Sequence, residues 1–239
     1  MRCGRTIGVM VMCHGDDPGL VLPPRVAPLQ VVVIPILSKK MSMEELGPPC
    51  REMVALLKAA GIRAKIDSRD NYSPGWKYNH WEQKGVPIRM EVGPRDLEAG
   101  KVVMVRRDTS AKEDVPRDNL AARAKELLDA IQTNLLERAR ADRDEHYSRV
   151  MCWDDFVPAL NRHDIVLTPF CNEAEWEEKV KALSREEALG GEQEDERTAT
   201  SVAAKTLCIP EDQPELPEGT KCFISGKPAT CWVLWGRSY

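Results

Sequence analysis

No stretch of this sequence is apolar for long enough to cross a membrane. The longest apolar run, Leu29 to Leu37, is broken by Gln30 and Pro35 and falls far short of the ~20 residues that a transmembrane helix needs. No signal peptide opens the chain, so the sequence predicts a soluble protein with no membrane partner. An excess of positive charge is missing too: 34 basic residues against 38 acidic ones leave a formal net charge of −4. A protein that holds RNA over its whole surface carries a basic field, so any RNA site here has to be local. The eight cysteines, at 3, 13, 50, 152, 171, 208, 222 and 231, form no tight framework of repeated spacings. That excludes a disulfide scaffold and predicts reduced thiols in a cytoplasmic compartment. A phosphate-cradling glycine loop, a Ser/His/Asp triad and a membrane-binding amphipathic stretch are all lacking.

What is present suits two modules. At 239 residues the chain has room for one large or two small domains. Between Met1 and Ala27 an apolar run (Ile7 to Met12), a turn (His14 to Gly19) and a second run (Leu20 to Leu22) predict a hairpin. A hairpin alone is too small to be a domain. From Leu29 the texture changes. The β-branched run Val31 to Ile34 suits a strand covered on both faces. Cys50, Met53, Val54 and Leu57 keep helical spacing, with Pro49 near the start and Gly61 as the stop. Ile62 to Asp67 reads as a second strand, Trp76 to Lys84 as a short helix ending at Gly85, and Val86 to Val92 as a third strand. Gly93 to Asp96 reads as a turn and Lys101 to Arg107 as a fourth strand, before a helix with Leu120, Ala124, Leu127, Leu128, Ile131 and Leu135 on one face.

The remainder predicts a helical Trp153 to Leu160, a strand Ile165 to Pro169 and a charged helix Glu173 to Leu189. Strands follow at Val202 to Ile209, Lys221 to Ile224 and Cys231 to Trp235. Gly190 to Thr200, with the acidic run Glu192 to Glu196, is poor in apolar residues and reads as a solvated loop. The fold class is therefore α/β, with a second, smaller α/β domain. The expected boundaries are a remnant at 1–27, a first domain at 28–145 and a second at 146–239.

One small set of side chains carries recognisable chemistry. Tyr78 and Glu82 are four apart on the short helix, and Arg89 and Glu91 share one face of the following strand. Single-stranded bases are stacked on aromatic rings and read along their edges. Carboxylates accept guanine's ring N–H and amino protons, and arginine donates bidentately to guanine O6 and N7. The same residues also fit a surface ion pair between Glu82 and Arg89 with Tyr78 as a core aromatic. His14 and Asp16 sit in a turn and receive no catalytic role.

The segment Asp67 to Asp96, DSRDNYSPGWKYNHWEQKGVPIRMEVGPRD, resembles the anticodon-binding domain of prolyl-tRNA synthetases. RTIGVMVMCHGDDPGLVLPPRVAPLQVVVIPI at Arg5 to Ile36, VMVRRDT at Val103 to Thr109 and GRSY at Gly236 to Tyr239 agree with it. The likeness is to the C-terminal part of the eukaryotic and archaeal type, a class II synthetase. It implies that the anticodon of tRNA(Pro), which carries two guanines, is the ligand. By resemblance Tyr78 takes the place of a stacking phenylalanine, and Glu82, Arg89 and Arg95 stand at base-reading or backbone-contacting positions. Trp76 and Trp81 are taken as packing residues. Arg5, followed by Thr6-Ile-Gly-Val-Met10, occupies the place of the arginine that packs against ATP in the last class II motif, although Cys3 and Gly4 replace the small hydroxyl residues usual just before it.

No catalytic residue is carried over. The earlier motifs would lie upstream of Met1, so a truncated sequence is the simplest account, and the chain by itself is expected not to activate proline. In the complete enzyme the resemblance implies ATP and Mg²⁺ as cofactors, a catalytic domain as intramolecular partner and a homodimer. The alternative is a free-standing RNA-binding or assembly protein without ligase activity. Relatives often carry a four-thiolate zinc site in the C-terminal domain. Cys171 and Cys222 match the first member of each pair, but Trp176 and Ile224 replace the second members. Structural zinc wants four ligands, and Cys208 and Cys231 lack the pair spacing, so zinc is not expected.

Overall fold

The computed structural model describes residues 4–37, 41–189 and 203–237. The segments 190–200 and 192–196, and the last two residues of the terminal GRSY string, lie outside them. Two compact units divide the chain, Met1–Arg140 and Ala141–Tyr239.

The first unit is a five-stranded sheet with helices on both faces. Its elements are α1 (Gly4–His14), β1 (Val31–Pro35), α2 (Met43–Ala59), β2 (Ala64–Ile66), α3 (Pro74–Gln83), β3 (Ile88–Val92), α4 (Pro94–Glu98), β4 (Lys101–Arg106), β5 (Lys112–Pro116) and α5 (Leu120–Glu145), the last running past the boundary. The strand order is β2-β1-β3-β4-β5. β2 and β3 flank β1 in parallel, and β4 and β5 continue antiparallel. Every residue of β1 is buried, because the sheet is covered on both sides. One face, with Val31, Val33, Ile88, Met90 and Met104, packs on the apolar stripes of α2 and α5. On the other, Val32, Ile34 and Val86 meet Tyr78 and Trp81 of α3.

The stripe expected on α5 is the buried one, residue for residue, and Cys50, Met53, Val54 and Leu57 are buried on α2. That helix begins nearly two turns before Pro49, at Met43. The Glu45 carboxylate accepts the Ser42 N–H at 3.0 Å, a capping contact that sets the start, and Pro48 and Pro49 lie inside the helix. Three further readings need correction. The segment expected to form a hairpin opens as the helix α1, none of whose residues is buried; a short continuous apolar run has no period that separates strand from helix. Residues 94–98 form the short helix α4 rather than only a turn, held by Asp96 accepting the Gly93 N–H at 2.9 Å. The edge strand β5 is polar in sequence and exists through its pairing with β4.

The second unit has a four-stranded sheet in the order β6-β7-β9-β8, built from β6 (Tyr147–Arg149), β7 (Ile165–Phe170), β8 (Lys205–Cys208) and β9 (Cys231–Gly236). The helices α6 (Trp153–Asn161) and α7 (Ala174–Leu189) complete it. Residues 221–224 do not form the expected strand. They make a turn, closed by the Cys222 N–H donating to the Lys227 carbonyl at 2.8 Å, and the Phe223 N–H donates to the Pro169 carbonyl at 3.0 Å. That contact seats the Phe223 ring among Phe156, Phe170 and Trp235.

Candidate nucleic-acid interface

The helix α3 is fixed at both ends by its sequence. The Trp76 N–H donates to Ser73 Oγ at 3.3 Å, Pro74 occupies the first turn, and Gly85 follows the end with φ +69°, as helix starts and stops require. An ion pair roots it to the sheet. Arg69 donates bidentately to Asp67 at 2.8 and 2.6 Å, and Trp81 Nε1 donates to the same carboxylate at 2.7 Å. Burial opposes the charge on Asp67, but the bonds from Arg69 and Trp81 outweigh it and hold the carboxyl far below its ordinary range. Trp81 thus packs as expected. Trp76 enters no core: it is 41% exposed, stacked between Tyr72 at 3.8 Å and His80 at 4.8 Å.

Tyr78 and Arg89 meet, and Glu91 completes the group. The Arg89 guanidinium carbon lies 4.2 Å from the Tyr78 ring centroid, and Arg89 Nε donates to Glu91 Oε1 at 2.9 Å. Burial, then the nearby Glu91 charge, pushes the Tyr78 phenol up to about 12. Arg89 therefore bonds Glu91 rather than Glu82, which has no ion pair among the described residues. With Nε engaged, the two terminal nitrogens of Arg89 take no hydrogen bond from the described residues. They remain available in the paired geometry that a guanine edge requires.

Glu82 and Arg89 line one cleft of about 100 Å³, together with Arg106, Arg107, Ser110 and Lys112. Arg106 is held by Asp108 at 2.9 and 2.6 Å, and Arg107 by Asp16. Lys112 has no partner among the described residues. In a chain of net charge −4, this is a local concentration of cationic donors around one unpaired carboxylate. Arg95 stands apart, exposed in α4 without an ion pair among the described residues. Arg5 is exposed in the first turn of α1. Sequence reasoning assigned no role to Glu91, Arg106, Arg107 or Lys112. Glu91 was signalled by the strand alternation it shares with Arg89; Arg106 and Arg107 arrive through the pairing of β3 with β4, where Ile88 faces Arg106, and Lys112 through the pairing of β4 with β5, where it faces Val105.

In the second unit, Ser225 Oγ lies 3.7 Å from Cys171 Sγ, and Cys171 and Cys222 are near neighbours. Trp176 and Ile224 pack against the apolar core beside them. Among the described residues no group of three or more His, Cys, Asp or Glu side chains is placed to hold a metal. No helix among them is long and apolar enough to cross a membrane.

Comparison with known proteins identifies both units. Residues 30–127 match the model of the anticodon binding domain, and residues 153–239 match the model described as prolyl-tRNA synthetase, C-terminal. A cytoplasmic proline–tRNA ligase of Arabidopsis thaliana is 53% identical over 235 residues, which are 98% of this chain and 42% of that protein. A putative proline–tRNA ligase of Saccharomyces cerevisiae is 46% identical over 239 residues, 98% of this chain and 35% of that protein. A bifunctional glutamate/proline–tRNA ligase of Mus musculus is 45% identical over 240 residues, 98% of this chain and 16% of that protein. The chain therefore spans less than half the length of these relatives.

Proposed function

The chain belongs to the prolyl-tRNA synthetase family, and we propose that its first unit grips the anticodon of tRNA(Pro) for the ATP-dependent attachment of proline. The observation that supports this most is the pairing of free arginine donors with a free carboxylate in one cleft. Arg89, held through its Nε by Glu91, lines the same cleft as the unpaired Glu82. One supplies the donors for guanine O6 and N7, the other an acceptor for guanine N–H groups. The Arg89 guanidinium, backed by the Tyr78 ring at 4.2 Å, offers a plane on which a splayed base stacks. Arg95, exposed on α4, contacts the RNA backbone.

Proline activation belongs to a catalytic domain that carries the earlier class II motifs and binds ATP and Mg²⁺, with Arg5 as the last motif's contribution. Homodimerisation and a cytoplasmic location are part of the same reading, the latter supported by the name of the Arabidopsis relative. Zinc is left out of it because, by the resemblance, Trp176 and Ile224 stand where two thiolates would be, and both pack against the apolar core. The test is binding of full tRNA(Pro) transcripts against the same transcripts with another amino acid's anticodon. The account expects the anticodon exchange to weaken binding by at least tenfold, about 1.4 kcal/mol. Equal binding of both would remove the anticodon from the ligand.

A further inference from the structure

The end of α3 is tied to two other segments by a single buried side chain. Arg107 follows β4 and is 8% exposed. Its Nη1 and Nη2 donate to the two Asp16 carboxylate oxygens at 2.7 and 2.5 Å, and its Nε donates to the Glu82 carbonyl at 3.0 Å. Two backbone bonds run beside this clamp, from the Leu20 N–H to the Gln83 carbonyl at 3.0 Å and from the Leu22 N–H to the Gly85 carbonyl at 3.2 Å. The approach is close enough that a Cβ on Gly85 would lie 2.6 Å from the Leu20 carbonyl oxygen. A helix end leaves its last carbonyls without intrahelical partners, and a cation there also complements the helix dipole. The Glu82 carbonyl already accepts the Gly85 N–H at 2.9 Å, so Arg107 adds a second, charged donor at a residue that lines the cleft.

We propose that Arg107 is a positioning residue for base recognition. By holding the Glu82 carbonyl and the Asp16 carboxylate at once, it fixes the last turn of α3 and so aims the Glu82 side chain at its base. The proposal rests on the anticodon reading of the cleft. A planar guanidinium satisfies a carboxylate bidentately and a carbonyl through its third edge, whereas a lysine ammonium lacks that fork. The segment 16–22 is thereby fastened to the base-reading helix, so loosening Asp16 loosens the same turn.

The experiment compares wild type, Arg107→Lys and Asp16→Ala for binding of tRNA(Pro) anticodon stem-loops with each of the two guanines kept or replaced by adenine, with thermal melting of each variant alongside. Arg107→Lys is expected to stay folded and to lower the guanine-over-adenine ratio at one position roughly 2- to 30-fold, the range for residues that act through a neighbour. Its affinity for the adenine-substituted loop should hold. Asp16→Ala, at an exposed carboxylate, is expected to move the ratio the same way by less. A folded Arg107→Lys with the wild-type ratio overturns the proposal. If Arg107→Lys does not fold, a wild-type ratio in Asp16→Ala overturns it instead. A wild-type chain with no guanine preference overturns the anticodon reading first, and the proposal with it.

Discussion

The two units use their aromatic residues in opposite ways. The large core of the first unit is aliphatic throughout, built from Val, Leu, Ile, Met, Ala and Cys, and its aromatics gather on α3 and the loop before it as Tyr72, Trp76, Tyr78 and Trp81. The second unit packs all three phenylalanines of the chain, Phe156, Phe170 and Phe223, around Trp235 in its centre. Aromatic rings bury large areas and prefer tilted and edge-to-face neighbours, so a four-stranded sheet with two helices gains a core from few residues. Where the aliphatic stripes of α2 and α5 already close the main core, Tyr78 and Trp81 cover the sheet's other face and Tyr72 and Trp76 are left exposed. The difference leaves exposed rings on the first unit and makes rings the core of the second.

The sharpest way to break that contrast is to truncate one tryptophan in each unit. Trp235 is fully buried and donates Nε1 to Thr168 Oγ1 at 2.9 Å; Trp235→Ala should destabilise the second unit by about 3–5 kcal/mol and leave stem-loop binding unchanged. Trp76→Ala removes an exposed ring with two stacked neighbours and should cost no more than about 1 kcal/mol. Denaturant unfolding with separate probes of the two units measures both. Similar losses for the two variants would mean that Trp76 is core after all.

A smaller effect is expected at Arg95. If it meets a phosphate, Arg95→Ala weakens every stem-loop about equally and lowers the salt slope of binding by about 0.7, the value for one contact to a single strand. A base-selective loss would move Arg95 from the backbone to base reading.

Much of this contrast was legible in the sequence, for identifiable reasons. The stripe from Leu120 to Leu135 and the run Val31 to Ile34 declare themselves because their period and their β-branching are decided locally. The helix α1 and the strand β5 do not: Ile7 to Met12 is apolar without a period, and Lys112 to Pro116 is a strand only because β4 lies beside it. At the site, Tyr78, Glu82 and Arg89 came from one continuous segment. Arg106 and Arg107 reach it through the β3–β4 register, and Asp16 reaches Arg107 from far upstream. No spacing rule connects those residues.

Subtler still is the alkaline limb of stability. Tyr78 has a folded-state value of about 12 against an ordinary value near 10. An acid whose value rises on folding contributes stability that is complete below the unfolded value and disappears as pH climbs through the folded one. Wild type should therefore lose stability between about pH 10 and 12 more steeply than Tyr78→Phe, as read by unfolding at stepped pH. Identical pH profiles would place the phenol in water. No effect at all is expected for proline-dependent pyrophosphate exchange by this chain, and measurable exchange would show that it carries the chemistry itself.

The central claim is that Arg89 and Glu82 read guanine, and a double-mutant cycle between side chain and base tests it most directly. Wild type, Arg89→Ala and Glu82→Ala would each be titrated with stem-loops carrying the two guanines, or adenine at one or the other. Each alanine variant should lose about 1–3 kcal/mol for the natural loop and lose nothing further when its own guanine is the one replaced. Alanine losses that persist undiminished whichever base is present, or natural-loop affinity untouched by both substitutions, would contradict the account.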